Sequence, residues 1–324
     1  MLDSITSPTP KISITFAQEV ARGLRQSPKK LYSKYFYDQN GDQLFQQIMA
    51  MPSYYLTKCE YDIFVQQKGD ILNSIGKERF SLIELGAGDG MKTKVLLEHF
   101  LRQKVDFQYI PIVISQHVLD TLTTDLRNRW DTLTVRPLQG DYFDVLNSLD
   151  DPALGRKVVL FLGSNIGNFE RERAKTFLRA LSKRLDAGDL LFLGVDLKKD
   201  PQVILDAYND DKGITAAFNL NILTRINREL EGNFNLEHFK HWQIYDPLSG
   251  ASRSRIVSTR KQQVHIRAID QYFQFEAWEA IDVELSQKYS LSDIEQLAMQ
   301  TGFQIKQHFT DGQQYFVNSL WQKQ

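Results

Sequence analysis

Residues 80–90 read Phe80-Ser81-Leu82-Ile83-Glu84-Leu85-Gly86-Ala87-Gly88-Asp89-Gly90, an apolar run that passes into a glycine-rich turn. The run predicts a buried strand, and the amphipathic residues 92–101 predict a helix directly after the turn. Glycines let the backbone approach a ligand closely, and the start of a helix offers unpaired N–H donors. The third glycine comes one position too early for the dinucleotide pattern G-x-G-x-x-G, so the spacing favours a methyl-donating nucleoside. Taken alone, the stretch is also compatible with a purely structural strand-to-helix turn.

The alternation of short apolar runs and amphipathic segments continues to about residue 197. It predicts further strands at residues 109–114, 133–138, 158–162 and 190–195, with helices at 118–130 and 171–185. Strands joined by crossover helices form a parallel sheet that is wound on both faces and binds ligands at the carboxyl ends of its strands. We therefore predict the α/β class, with a Rossmann-like, doubly wound sheet.

A second module follows Asp196, where the pattern changes. Residues 201–209 and 214–230 have helical periodicity, whereas residues 251–289 alternate with a period of two. A helix at 291–301 and strand-like runs at 303–308 and 315–321 then complete the first sheet. We predict one domain at 61–197 and 290–324, and a second, α+β domain at 10–60 and 198–289.

Composition excludes several functional classes. Lys and Arg number 39 against 40 Asp and Glu, so no net field draws the 324-residue chain to nucleic acid or to an anionic membrane. The single cysteine, Cys59, permits neither an internal disulfide nor a multi-thiolate zinc site, which is typical of the cytoplasm. Residues 1–10 lack a secretory pattern and are expected to form a frayed tail, and no apolar run approaches the roughly 20 residues that span a bilayer. We expect a cytoplasmic monomer with no membrane or nucleic-acid partner.

Several segments together carry a family resemblance. They are KYFYD at 34–38, PSYYLTKCE at 52–60, the glycine turn with KTK at 92–94, GDY at 140–142, LGSNIGNF at 162–169, GVDL at 194–197, TAAFNLN at 215–221 and ELSQKY at 284–289. In this order they resemble the histidine-specific methyltransferase family, which makes the betaine hercynine on the way to ergothioneine. The resemblance implies an S-adenosylmethionine-dependent N-methyltransferase that methylates the α-amine of L-histidine, as far as the trimethylated betaine. It assigns the cofactor to the first predicted domain and a small amino-acid substrate to the second.

The resemblance also implies which residues contact S-adenosylmethionine. They are Gly86, Gly88, Lys92, Asp141 and Tyr142. A glycine backbone can approach the methionine part of the cofactor, and a carboxylate at a strand end can accept hydrogen bonds from ribose hydroxyls or the adenine amine. Without the resemblance, Lys92 reads as a solvated lysine in a first helical turn and Asp141 as a helix N-cap.

One departure concerns this cofactor site. Related chains carry an aspartate at the end of the second strand, in Pro-x-Asp-x-Ser, where this chain has Val113 within Pro111-Ile112-Val113-Ile114-Ser115. The loss of a carboxylate that accepts charge-assisted hydrogen bonds costs about 1.5–3 kcal/mol, which is about ten- to a hundredfold in affinity. We predict weak cofactor binding unless Ser115 or Gln116 substitutes.

For the substrate, the resemblance implies a second group of residues. The carboxylate would contact Asn168 and Tyr208, the imidazole would contact Tyr54, Glu284 and Ser286, and Tyr37 would form an aromatic wall at the catalytic centre. A carboxylate accepts from one ring nitrogen and a hydroxyl satisfies the other, so rings without these donors are rejected. On sequence alone, Asn168 also reads as a turn residue, Tyr54 as a core aromatic and Glu284 as the polar face of a strand.

Three alternatives stay open at this point. Family members that act on histidine often have an acidic residue and a methionine where Arg253 and Ser254 stand. The substrate could therefore be another amino acid or amine, although Glu284 and Ser286 favour imidazole over indole. A cofactor-binding protein with weak or no catalysis is the second alternative. The third is a metal enzyme using His238 and His241, which would share a helical face at i and i+3 but lack a nearby third ligand. We predict no metal.

Overall fold

The computed structural model describes residues 14–141 and 144–324. The expected frayed tail, 1–10, and the expected cofactor contact Tyr142 both lie outside the described residues. The described chain divides into two compact units. The first unit comprises residues 14–54, Asp200–Asp246 and Ala251–Leu285, and the second comprises Tyr55–Lys199, Pro247–Gly250 and Ser286–Gln324.

The helices of the described chain are α1 (Ile14–Leu24), α2 (Gln39–Ala50), α3 (Tyr55–Ile75), α4 (Thr93–Arg102), α5 (Gln116–Arg129), α6 (Arg171–Ser182), α7 (Pro201–Tyr208), α8 (Ile214–Leu230) and α9 (Leu291–Gln300). The strands are β1 (Lys29–Lys30), β2 (Phe80–Leu85), β3 (Phe107–Val113), β4 (Thr134–Val135), β5 (Leu138–Gln139), β6 (Lys157–Phe161), β7 (Leu190–Asp196), β8 (Phe239–Asp246), β9 (Ala251–Ser258), β10 (Gln262–Ile266), β11 (Gln271–Phe275), β12 (Ala280–Gln287), β13 (Phe303–Thr310) and β14 (Phe316–Lys323). Short 3₁₀ turns lie at Ser33–Tyr35, Asp144–Asp150, Pro152–Leu154, Asn165–Asn168, Leu236–His238 and Arg267–Ile269.

The second unit is built on one large sheet with the strand order β13-β14-β7-β6-β2-β3-β4, and β5 also pairs with β3. Strands β2, β3, β6 and β7 pair in parallel, whereas β14 runs antiparallel to both β7 and β13. Every residue of β2, β6 and β7 is buried, as expected for central strands covered on both faces. The predicted α/β sheet is therefore confirmed, including its completion by the C-terminal strands.

The strand predicted at 133–138 is wrong in detail. The structure has two short strands there, β4 and β5, and each pairs separately with β3. Pro137 stands between them and has no N–H to donate to the sheet. The proline therefore interrupts the pairing that the apolar pattern suggested.

The first unit contains helices α1, α2, α7 and α8, the hairpin β10–β11, and most of a sheet with the order β1-β12-β9-β8. Its core is formed by apolar residues of helices and strands, including Phe36, Phe218, Ile222, Phe239 and Ile281. The predicted strands in 251–289 are confirmed, whereas β8 was not predicted. No helix in the described part of the chain is long and apolar enough to cross a membrane.

The boundaries of the compact units differ from the predicted domain boundaries by a few residues. Residues 55–60 belong to the second unit because α3 is one continuous helix from Tyr55 to Ile75. Residues 286–289 also belong there, since the N–H of Lys288 donates to Gly250 O at 2.7 Å and that of Tyr289 to Asp196 O at 3.1 Å. The assignment of cofactor and substrate to different domains stays a prediction.

Candidate functional site

The glycine turn after β2 adopts the backbone conformation that its sequence requires. Gly86, Gly88 and Gly90 have φ angles of 75°, 56° and 67°, in the left-handed region that favours glycine. The N–H of Gly86 donates to Ile112 O at 2.9 Å and ties the turn to β3. A Cβ at Gly88 would meet nothing within 4 Å, so the backbone there borders open space. The turn therefore fits the close approach of a nucleoside cofactor.

Glu84, directly before the turn, is a buried carboxyl held by two hydroxyl donors. Thr93 Oγ1 donates to Oε1 at 2.7 Å, and the hydroxyl of Tyr109 donates to Oε2. Burial raises the pKa of Glu84 to about 7, although both hydrogen bonds and the nearby Lys92 oppose the shift. A substantial fraction of this carboxyl therefore carries a proton at neutral pH.

We expect the protein to lose stability between pH 5 and pH 8 because of Glu84. The unfolded chain releases this proton near pH 4.5 and the folded chain near pH 7, so the free energy of unfolding falls by about 3 kcal/mol as the pH rises through this window. Glu84→Gln keeps the shape and removes the titration. Urea unfolding at pH 5 and pH 8 should show the variant gaining stability relative to the wild type at the higher pH. An equal difference in stability between Glu84→Gln and the wild type at both pH values would contradict the raised pKa of Glu84.

Lys92 is not a solvated lysine. Its Nζ forms an ion pair with the carboxylate of Glu60, a residue of α3 whose side chain is 0% exposed. Glu60 also accepts from the N–H of Gly163 at 2.9 Å and from Asn318 Nδ2 at 2.8 Å. A Cβ at Gly194 would lie 2.2 Å from Glu60 Oε1, so glycine is required there. Glu60 thus fixes the predicted cofactor contact Lys92, and sequence reasoning missed it.

Neither of the proposed substitutes supplies a carboxylate at the Val113 position. Ser115 Oγ accepts from Val118 N at 3.4 Å and caps α5, and Gln116 Nε2 donates to Asp120 at 2.7 Å. Val113 is buried at the end of β3 and pairs in register with Gln139. Asp141, two residues beyond the end of β5 at Gln139, is exposed.

A second buried charge cluster lies at the carboxyl end of β7. Asp196 is 0% exposed and accepts from Tyr55 OH at 2.9 Å and from the ammonium groups of Lys199 and Lys288, the latter at 2.6 Å. Burial lowers the pKa of Lys199. The GVDL and ELSQKY segments contain Asp196 and Lys288, but their sequence pattern does not indicate that the two residues meet.

Two predicted substrate contacts lie in the same part of the second unit. Asn168 is exposed at the end of the 3₁₀ turn that follows β6. A Cβ on the preceding Gly167 would lie 2.8 Å from Gln287 O, so this turn lies directly against the end of β12. Ser286, one residue earlier on β12, is buried and accepts from Lys288 Nζ at 2.8 Å.

The predicted aromatic contacts fall into two groups within the first unit. The rings of Tyr54 and Tyr208 meet edge to face, with centroids 5.9 Å apart. Tyr37 is 44% exposed, and its ring contacts Phe45 and Phe218, each at 5.5 Å between centroids. The structure therefore brings Tyr54 and Tyr208 together and places Tyr37 in a separate aromatic group.

Glu284 belongs to a polar network on the sheet of the first unit. Ser254 Oγ lies 3.3 Å from Glu284 Oε2 and 2.8 Å from Gln243 Oε1, and Gln243 Nε2 donates to Ser252 Oγ at 2.7 Å. Ser254 is 1% exposed. At the position where the family often has methionine, this chain therefore buries a hydroxyl that contacts the carboxylate predicted to hold the imidazole.

His238 and His241 do not share the helical face that the metal-enzyme alternative requires. His238 ends a short 3₁₀ turn, whereas His241 lies in β8 with Nε2 3.0 Å from Tyr208 O. Burial lowers the pKa of His241, which favours the neutral ring. Across residues 14–141 and 144–324, no three His, Cys, Asp or Glu side chains are grouped to hold a metal ion.

Comparison with known proteins identifies close relatives. A histidine N-alpha-methyltransferase of Mycobacterium tuberculosis is 32% identical over 276 residues, which cover 85% of each chain. One from Mycolicibacterium smegmatis is 32% identical over 294 residues, covering 91% of this chain and 90% of the relative. Ergothioneine biosynthesis protein 1 of Schizosaccharomyces pombe is 29% identical over 304 residues, covering 91% of this chain and 39% of that longer protein.

The match to a family description extends over nearly the whole chain. It covers residues 16–323 and is described as histidine-specific methyltransferase, SAM-dependent. The matched range contains the glycine turn, the Glu60–Lys92 pair and strand β12. This chain belongs to the family of histidine-specific, S-adenosylmethionine-dependent methyltransferases.

Proposed function

We propose that this chain methylates the α-amine of L-histidine with S-adenosylmethionine, up to the trimethylated betaine hercynine. The family match and the two mycobacterial relatives support histidine as the substrate. The similarity to a protein named for ergothioneine biosynthesis supports a place in that pathway. We further propose that it acts as a cytoplasmic monomer.

The observation that carries the proposal is the placement of Glu284 and Ser286 on β12. Residues two apart on a strand point to the same face, so a carboxylate and a hydroxyl are presented side by side. Neutral imidazole has one N–H donor and one acceptor nitrogen, which this pair can satisfy together. An indole has no acceptor nitrogen and would leave the hydroxyl poorly satisfied.

The remaining proposed roles follow from the chemistry of each side chain. The amide of Asn168 and the phenol of Tyr208 bind the substrate carboxylate with neutral donors. Tyr54 contacts the imidazole. The exposed ring of Tyr37 faces the reacting amine, and the quadrupole of this ring stabilises the positive charge of the methylated amine. Gly86, Gly88, Lys92, Asp141 and Tyr142 hold the cofactor. When bound, S-adenosylmethionine supplies an electrophilic methyl group, and the chain contributes orientation and exclusion of water.

A screen of the 20 amino acids with labelled cofactor tests this function. We expect methyl transfer to histidine, with mass increments of one, two and three methyl groups in the products. Transfer to a different amino acid and not to histidine would replace the substrate assignment. No transfer to any of them would favour a cofactor-binding protein without catalysis.

Asn168→Ala is expected to lower kcat/KM for histidine by about ten- to a hundredfold, because a hydrogen bond to a charged carboxylate contributes about 1.5–3 kcal/mol. The cofactor affinity should not change. Asn147→Ala is the matched control, since Asn147 is exposed and bonds Arg184 on the surface. Unchanged kinetics in Asn168→Ala would remove Asn168 from the substrate contacts.

Val113→Asp is expected to tighten S-adenosylmethionine binding by about tenfold, because it restores a ribose acceptor at the end of β3. Titration calorimetry on folded protein measures the change. Val113→Asn adds polarity without charge and should give a smaller gain. Equal or weaker binding in Val113→Asp would show that the chain already compensates for the valine.

A further inference from the structure

We propose that Asn221 is a positioning residue that holds Tyr37 in place for methyl transfer, by binding the residues on both sides of this tyrosine. This role rests on the proposed function, in which the ring of Tyr37 faces the reacting amine. Asn221 itself is assigned no contact with substrate or cofactor. Both residues belong to the first unit, so the contacts that carry the inference lie within one compact unit.

The segment that carries Tyr37 lies along one face of α8. Residues three and four apart share a face of a helix, and this face presents Phe218, Asn221, Arg225 and Arg228. The ring of Phe218 contacts that of Tyr37. Arg225 donates to the backbone carbonyl two residues before Tyr37 at 3.1 Å, and Arg228 donates to the carboxylate one residue after it at 2.5 Å. The whole segment is therefore bound to one helix.

The side-chain amide of Asn221 contacts this segment with both its nitrogen and its oxygen. The residue is 3% exposed. Its Nδ2 donates to Phe36 O at 3.2 Å and to Asp38 Oδ1 at 2.8 Å, and its Oδ1 accepts from Asn40 Nδ2 at 2.8 Å. Phe36 and Asp38 are the two neighbours of Tyr37 in the chain, so a single amide fixes the chain on both sides of the tyrosine.

The chemistry of these partners requires an amide at position 221. Burial acts to raise the pKa of Asp38, but hydrogen bonds from Arg228, the backbone and Asn221 lower it overall, so the carboxylate is ionised at neutral pH. An ionised carboxylate and a backbone carbonyl can only accept hydrogen bonds. The amide nitrogen of asparagine carries two N–H donors, one for each of these acceptors. A leucine or an aspartate has the same branched shape but offers neither donor.

The backbone around Tyr37 is packed more tightly than the tyrosine ring. A Cβ at Gly41 would lie 1.8 Å from Phe36 O and 3.2 Å from Asn221 Nδ2, so glycine is required there. Phe36 is 0% exposed, whereas Tyr37 is 44% exposed. Packing therefore holds only part of the tyrosine ring, and the position of this ring depends on the backbone that Asn221 fixes.

Asn221→Leu tests the inference with the purified full chain, because leucine keeps the branched shape and removes both donated hydrogen bonds. We expect kcat for histidine methylation to fall about tenfold with KM changed by less than about twofold, since a displaced Tyr37 affects the transfer step. Slower transfer gives intermediates more time to dissociate, so mono- and dimethylated histidine should form a larger share of the products. In a Tyr37→Leu background the same change should alter kcat by less than about twofold, because Asn221 acts through Tyr37.

Amide hydrogen exchange supplies a readout that does not depend on activity. The N–H of Gly41 donates to Asp38 Oδ1 and that of Asp42 to Asp38 O, each at 2.8 Å, so both open when the segment loosens. Peptides covering residues 33–42 should therefore exchange about tenfold faster in Asn221→Leu, whereas peptides of α5 in the second unit should exchange as in the wild type. If the leucine variant folds poorly, Asn221→Ser, which keeps one donor, should show the same changes to a smaller extent.

Asn227→Leu is the matched control, since Asn227 lies on the same helix and its amide bonds Phe234 O and Phe234 N, each at 2.8 Å. It also removes hydrogen bonds of α8, but it should leave kcat, the product pattern and the exchange of residues 33–42 unchanged. Wild-type exchange or wild-type kcat in both Asn221 variants, additivity with Tyr37→Leu, or the same changes in Asn227→Leu would overturn the inference, while histidine methylation by the wild type upholds the proposed function. Absence of histidine methylation in the wild type overturns both.

Discussion

Glu60→Gln is expected to destabilise the cofactor-free protein by about 3 kcal/mol, because removing one partner of a buried ion pair leaves the other charge uncompensated. This loss of stability should lie at the lower end of the range that is usual for broken buried ion pairs, since the side chain of Lys92 is 22% exposed and can recover some hydration. The same change should weaken S-adenosylmethionine binding by about tenfold, because Lys92 loses the carboxylate charge that holds its ammonium group in place.

Two measurements separate stability from binding in this variant. Urea unfolding of the cofactor-free protein gives the change in stability, and calorimetry below the transition gives the affinity. Glu98→Gln is the matched control, because Glu98 forms an exposed pair with Arg102 on α4 and should change stability by less than about 1 kcal/mol. Lys92→Met combined with Glu60→Gln should be strongly non-additive. Wild-type stability and affinity in Glu60→Gln would show that the pair has no structural role.

Asp196→Asn is expected to cost about 3–5 kcal/mol, because two buried ammonium groups lose their carboxylate. Lys199, whose pKa burial already lowers, can then stay buried most easily by releasing its proton, which lowers its pKa further relative to the unfolded state. The folded variant would bind fewer protons than the unfolded chain, so its stability should recover as the pH rises towards 10.

Urea unfolding at pH 7 and pH 9.5 measures both effects. Asp62→Asn is the control, since Asp62 pairs with Lys58 one turn away on the surface of α3 and should change stability by less than about 1 kcal/mol. A loss below about 1 kcal/mol in Asp196→Asn would indicate that the lysines find other partners.

Much of the large sheet could be predicted from the sequence because its signals are local. The apolar runs that form β2, β6 and β7 are short, continuous and separated by amphipathic helices, and each run is buried in the structure. The glycine turn was equally local, since three glycines within five residues adopt positive φ. Pro137 shows the limit of this reasoning. The apolar pattern continues through this position, but proline has no N–H to donate, so the pairing between strands is interrupted there.

The buried charge clusters could not be predicted in this way. Glu60 is 32 residues from Lys92, 103 from Gly163 and 258 from Asn318. No short stretch of sequence therefore contains the partners of its carboxylate. Without the family resemblance, Lys92 therefore read as a solvated lysine. The substrate residues were reached through the family resemblance, and their roles remain predictions that the variants above test.

The polar contact between Ser254 and Glu284 could not be predicted from the sequence either. The sequence showed that a serine replaces the usual methionine, but the consequence depended on the neighbouring strand. In the structure the serine hydroxyl connects Glu284 with Gln243, so the change alters hydrogen bonding as well as volume. The i and i+3 spacing of His238 and His241 does not place them on one helical face, because β8 begins at Phe239.

Strand β12 also fixes the spacing between the two residues that are proposed to contact the substrate ring. Glu284 and Ser286 are separated by two residues of extended chain, so their Cα atoms are held about 7 Å apart by covalent geometry. No rearrangement of loops can widen or narrow that interval while the strand persists. Inserting or deleting one residue between them would turn one side chain to the opposite face. On the proposed assignment of these two residues, acceptance of a larger ring must therefore come from replacing their side chains.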